Sequence, residues 1–241
     1  MTCLTFDKIA WAALFYRGTS SDRIEYAAAG RKNKITYAEV VDALKSVPFI
    51  VEEDAVAKLV RFLNSWGRCR MRNNRQMRNR LRDRLQNLPK DLRLLPPLEH
   101  AQFSDTTKKN VQKAYSTLRG HSSKWKVGPT AISKILHLVH PAFFVMWDKA
   151  IRTHYGREDT AIAESDRGYV AYLVKMKNMA QHAMNDFHDT HPSEDAALAT
   201  FLSKRLGVSR PVPLTKFLDE YNWLKVTKGT DLPPKWHPCH A

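Results

Sequence analysis

The stretch KVGPTAISKILHLVHPAFFVMWDKAIR, residues 126–152, decides how this chain is read. A Gly128-Pro129 turn opens a helical pattern over 130–139, on which Ala131, Ile135, Leu138 and Val139 supply a packing face. Pro141 stops that helix. The run Ala-Phe-Phe-Val-Met-Trp (142–147) then delivers one carboxylate, Asp148, at the position where an N-cap of the next helix belongs. A lone acid behind six apolar residues, in a strongly basic protein, calls for a chemical reason as well as a structural one.

Outward from this stretch the pattern stays helical. Thr36 and Glu39 have capping-box spacing ahead of VVDALK. Val56, Leu59, Val60 and Leu63 make one apolar face, and Ser104 is placed to cap a helix carrying Val111, Tyr115 and Leu118. Tyr169, Leu173, Met176, Ala180, Ala183 and Phe187 continue a stripe over about five turns. A helix is expected from Ser193 through Leu198, Phe201 and Leu202, closed by Gly207, and a last one over 215–224. The N-terminal patch IAWAALFY reads as core helix and not as a signal peptide. No segment alternates with period two, so the fold is expected to be all-α. Proline-bearing connectors at 88–100 and 209–213 separate groups of helices, and a proline-rich tail covers 231–241.

Charge narrows the partners. Lys and Arg total 39 against 24 acids, a formal +15, which favours a polyanion and above all nucleic acid. No apolar run approaches the roughly 18 residues of a membrane span. Cys3, Cys69 and Cys239 offer neither a disulfide framework nor a metal cluster, which suggests a reducing cytoplasm. The tract RCRMRNNRQMRNRLRDR (68–84) carries eight arginines and one acid. On a helix starting near Asn74, Arg75, Arg78 and Arg82 share a face suited to phosphate oxygens. Just upstream and within the tract, Asn64, Trp66 and Arg70 are candidates for a base pocket by stacking or edge hydrogen bonds, with Trp147 as a further wall.

At the turn itself, Gly128 lets the backbone approach a phosphate, and the helix that follows points its amides outward with the positive end of its dipole. Lys124 and Lys126 add charge beside it. This order of Lys126-Val127-Gly128-Pro129 turn, helix, apolar Phe144-Val145 approach and Asp148 with Ile151 behind it resembles the helix-hairpin-helix DNA glycosylase superfamily. The resemblance spans about 30 of the 241 residues, within a hairpin and catalytic segment at about 115–156. It implies one domain over 1–241, a two-lobed helical bundle with the hairpin at the cleft. It also implies DNA contacts from Lys124, Lys126, Val127, Gly128, Thr130 and Lys134. Asp148 takes the role of the catalytic carboxylate. In the lyase branch a lysine lies eighteen residues before the Asp; here that position is Thr130, so the resemblance implies a monofunctional glycosylase that uses water. Lys134, one turn further on, is the alternative amine. Trp147 departs from the small aliphatic residue often found before the Asp, Arg152 falls one position short of the usual basic residue, and the four-cysteine iron–sulfur loop of some relatives is absent.

The chemistry that goes with this reading is hydrolysis of an N-glycosidic bond, which leaves positive charge on the sugar. A carboxylate in an apolar surround stabilises that charge and orients the attacking water, once the base has left the stack. The base is set by the pocket: damaged, mismatched or modified. For a bacterial chain with a non-housekeeping role, one option is a bulky modified base in phage DNA, a defence function. The rival reading is a noncatalytic helix-hairpin-helix module that only binds nucleic acid. The expected partner is double-stranded DNA, bound by a monomer without cofactor or metal. The pairs His137/His140 and His188/His191 lack a Glu-bearing zinc motif, so surface or capping roles are expected of them.

Overall fold

The structure is a computed structural model and describes residues 4–19, 35–67, 69, 71, 73–120, 127–208 and 210–231. Its described residues form ten α-helices and no strand: α1 (Phe6–Thr19), α2 (Tyr37–Leu44), α3 (Glu53–Gly67), α4 (Arg75–Gln86), α5 (Asp105–Arg119), α6 (Pro129–Val139), α7 (Lys149–Glu158), α8 (Asp166–Thr190), α9 (Leu198–Arg205) and α10 (Leu214–Asn222). A π-helical turn, Trp223–Thr227, prolongs α10. None of these helices is long and apolar enough to cross a membrane.

Side-chain caps set five of the ten described helix starts. Thr36 accepts from the Glu39 amide while the Glu39 carboxylate accepts from the Thr36 amide, the reciprocal pair expected from the sequence. Asn74, Ser104, Asp148 and Ser165 cap α4, α5, α7 and α8 by accepting from an amide three residues on. The start of α9 differs from expectation. Pro192 and Ser193 lie in a turn in which the Glu194 amide bonds the His191 carbonyl and the Glu194 carboxylate takes the Ala196 amide. These bonds hold 191–196 in a turn, and α9 opens only at Leu198.

Eight of the eleven residues of α6 are buried, and this helix is the axis of the site. It packs against α2, α3 and α5, while α5 and α1 lie on the long α8, and α1 also pairs with α10. The first described residues are fastened to α8 by the Phe6 amide, which donates to Asp186 Oδ2 at 2.8 Å. The connector over 88–100 is ordered by Arg93, which donates to the Leu44 carbonyl at the end of α2 and to that of Val47 beyond it, and by the Leu98 amide on the Ala142 carbonyl. One glycine is required by close approach: a Cβ on Gly168 would stand 1.8 Å from the Ala163 carbonyl oxygen.

Lys124, Lys126, Arg68 and Arg70 lie outside the described residues, as do the side chain of Trp66 and the tail beyond residue 231.

Candidate functional site

Residues 144–147 run through the interior outside any helix or strand, so no ladder takes their carbonyls. Side chains do it instead, one carbonyl at a time. His137 Nδ1 donates to the Phe144 carbonyl at 2.6 Å, Tyr169 Oη to Val145 at 2.8 Å, and Tyr172 Oη to Met146 at 2.9 Å. Ser133 Oγ accepts from the Trp147 amide at 3.2 Å and lies 3.2 Å from the Trp147 carbonyl. The donors come from α6 and α8, and all four side chains are fully buried. An unmet carbonyl here costs about 1–3 kcal/mol, so the set fixes both the path of the segment and the residue at its end.

That residue is Asp148. Its Oδ1 accepts from the Ile151 amide at 2.9 Å, capping α7, and its Oδ2 accepts from Thr227 Oγ1 at 2.8 Å. Both oxygens therefore act as acceptors, the behaviour of a carboxylate, and the side chain remains partly exposed. The capping role foreseen in the sequence is present.

Ser133 also joins this carboxylate to the start of α6. Its hydroxyl is 3.0 Å from the Thr130 carbonyl as well as 3.2 Å from that of Trp147. From the first turn of α7, Arg152 Nη1 reaches Thr130 Oγ1 at 3.1 Å. The Gly128-Pro129 turn and Asp148 are thus neighbours. Val127 is buried, whereas Gly128 is exposed and caps α6 without any side-chain hydrogen bond. Gly128 has an ordinary negative φ, and a Cβ added there meets nothing within 4 Å. Neither backbone nor packing demands glycine at this position.

Charges converge on the same region. The Lys134 ammonium on α6 acts on Asp219 of α10 and on the half-buried Cys69, whose thiol is pushed up by burial and only partly pulled back by that lysine. Asp148 acts on Asp219 too. Asp219 is a residue that sequence reasoning missed; it lies on one face of a short helix with no motif around it. Of the arginines on α4, Arg75 is exposed, while Arg78 is engaged with Asn73 Oδ1 at 3.1 Å and Glu53 at 3.8 Å. Arg84 donates to the Thr117 carbonyl. Arg82 is half-buried and has no polar partner among the described residues. The shared face of Arg75, Arg78 and Arg82 is therefore divided, with Arg78 already engaged.

Three sequence expectations change. Trp147 does not line a pocket: it is fully buried, with ring centroids 4.9 Å from Tyr169 and 5.2 Å from Tyr172, and the Arg152 guanidinium 5.5 Å over its face. An apolar run alone does not say which rings turn inward. Asn64 uses both ends of its amide on the Met71 backbone, at 2.8 and 2.7 Å, and so holds the segment leading to α4. His137 is neither at the surface nor a cap. It is buried and neutral, donating from Nδ1 to Phe144 and accepting at Nε2 from Tyr37 Oη at 2.7 Å.

Burial lowers the His137 imidazole to about 3 and pulls His140 down in the same direction. The folded value lies below the ordinary 6.5, so the unfolded chain binds the proton first as pH falls. The stability His137 contributes is whole above pH 6.5 and is lost progressively as pH drops from there towards 3, at up to ~1.4 kcal/mol per unit. Urea unfolding at pH 7 and pH 5 is expected to differ by about 2 kcal/mol from this cause, and a His137→Gln variant is expected to flatten the slope.

A cleft of about 500 Å³ opens elsewhere, lined by Tyr155, Glu158, Lys175, Met179, Tyr221 and Lys225 among others. Its Glu158 stands ten residues along the chain from Asp148, and its Lys225 lies in the same π-helical turn as Thr227. Its Lys175 is paired with Glu158 at 2.7 Å. No protein-family model, no curated protein and no solved structure matches this chain.

Proposed function

We propose that this chain is a helix-hairpin-helix DNA glycosylase: a two-lobed enzyme that hydrolyses the N-glycosidic bond of an extruded base and leaves an abasic site. The observation that carries the reading is the junction at Ser133. One buried hydroxyl holds both the start of α6, with its exposed uncapped turn, and the backbone that presents Asp148. A phosphate at that turn then fixes the strand, and the sugar of an extruded nucleotide falls beside the carboxylate. Asp148 stabilises the positive charge that develops on the sugar and orients water. Net positive charge supplies the long-range attraction.

Thr130 stands at the position of the lyase lysine, so the reaction uses water. Lys134 is the amine to test, and borohydride trapping does so: no covalent adduct is expected.

The deciding experiment is incubation with unmodified DNA and with phage DNA carrying bulky modified bases, followed by alkali. Strand breaks that appear only after alkali are expected. Breaks without alkali point to a lyase or nuclease, and salt-sensitive binding with no breaks leaves the noncatalytic module. The turn has its own prediction. Gly128→Ala is expected to shift stability by less than about 0.5 kcal/mol, since its Cβ enters open space. DNA affinity is expected to fall about tenfold, the loss of one backbone hydrogen bond to phosphate. Thermal melts and binding titrations at fixed salt measure the two.

A further inference from the structure

The cleft of about 500 Å³ is walled by separate parts of the fold. Ala171, Val174, Lys175, Asn178, Met179 and His182 recur every three or four residues and so share one face of α8. The end of α7 adds Tyr155, Glu158 and Asp159, while Tyr221 comes from α10 and Lys225 from the π-helical turn after it. Small-molecule sites have this size and this mixture, an apolar lining with a few placed polar groups. The aromatic wall is fixed in advance. Tyr155 Oη donates to Asn222 Oδ1 at 2.6 Å, Asn222 Nδ2 donates to Tyr172 Oη at 3.3 Å, and Tyr172 Oη donates to the Met146 carbonyl at 2.9 Å. A wall already ordered lowers the cost of binding. The two lysines of the cleft are engaged differently. Lys175 Nζ lies 2.7 Å from Glu158 Oε2. Lys225 Nζ stands 5.6 Å from the centroid of the Tyr221 ring, half-buried, and no carboxylate comes within 4 Å of it among the described residues. Glu158 feels its charge only from farther off. Turns of the π type are frequent at functional sites, and this one also carries Thr227, the donor to Asp148 Oδ2.

We propose that this cleft is a second binding site, for a small apolar monocarboxylate. The carboxylate of the ligand takes the Lys225 ammonium, and its ring or chain lies against Ala171, Val174 and Met179 beside the two tyrosines. One ammonium without a carboxylate partner calls for one negative charge. Glu158 and Asp159 stand in the same cleft and repel a polyanion, so a nucleic-acid strand is not its ligand. A neutral molecule of the same shape fills the apolar lining but leaves Lys225 unmatched. The site stands apart from the glycosylase reading, because its ligand is bound without DNA.

The test is a titration of the full chain at low salt, followed by ligand relaxation in NMR. The probes are naphthoate and octanoate, which share the carboxylate and differ in ring against chain. Naphthalenemethanol, the neutral counterpart of the first, and inorganic phosphate serve as controls. Saturable binding of at least one carboxylate is expected, with a Kd of about 1 mM or tighter; the probe that saturates identifies ring or chain. Lys225→Met is expected to weaken it about tenfold or more, the loss of one charge-assisted contact. Neither carboxylate saturating by about 10 mM, tenfold above that Kd, overturns the proposal. So does an alcohol that binds as well as naphthoate, phosphate that binds more tightly than either probe, or unchanged affinity in Lys225→Met. Should that variant not fold, Ala171→Phe decides, since its ring fills the cleft from α8: lost binding supports the site and wild-type affinity overturns it. DNA excision is not read in this experiment, so its failure leaves the glycosylase reading where it was.

Discussion

Asp148→Asn is expected to leave the protein folded and bound to DNA while slowing base excision by about 10²-fold or more. Asparagine caps helices about as well as aspartate, so the bond from the Ile151 amide survives. The second acceptor is replaced by a donor, which disturbs the partly exposed contact with Thr227 Oγ1 at a cost of about 1 kcal/mol. On the proposed reaction, what the variant lacks is the negative charge beside the sugar, and only the transition state calls on that charge. Single-turnover excision should therefore fall with little change in DNA affinity. An unaltered rate would remove Asp148 from the chemistry and leave it as a helix cap.

Trp147→Ala should damage the fold instead, by about 3–5 kcal/mol in urea unfolding. The indole is fully buried among Tyr115, Tyr169 and Tyr172, and Arg152 lies over its face while reaching Thr130 and Glu164. Its removal leaves a cavity directly behind Asp148. Excision is expected to fall as well, although the carboxylate is intact, because misplacement of about 1 Å costs about 10²-fold in a positioned reaction. Trp147→Phe, which keeps a ring, should recover most of the stability. A loss below about 1 kcal/mol for the alanine variant would show that the aromatic cluster closes over the gap.

How much of this was legible beforehand follows from sequence distance. The caps at Thr36, Asn74, Ser104 and Asp148 involve an amide three residues away, so local pattern was enough, as it was for the helical character of the described residues. The groups that hold Asp148 in place act across larger gaps: Ser133 on Trp147 over 14 residues, Tyr169 on Val145 over 24, Tyr172 on Met146 over 26. Tyrosine and serine on an apolar stripe look the same whether they fill space or serve a carbonyl. His137 was assigned outward because its sequence neighbours gave no sign of Tyr37, 100 residues earlier. Asp219 was missed for a similar reason, since the charges of Lys134 and Asp148 that act on it come from other elements far away in sequence.

The supports of the 144–147 backbone have a consequence for how such a protein changes over generations. His137, Ser133, Tyr169 and Tyr172 are all fully enclosed, so none of them meets an outside molecule. The direction in which Asp148 points is inherited through residues that selection on ligand preference does not reach. Mutations on the rim around the carboxylate can accordingly accumulate, and redirect what is admitted there, while the carboxylate keeps its place.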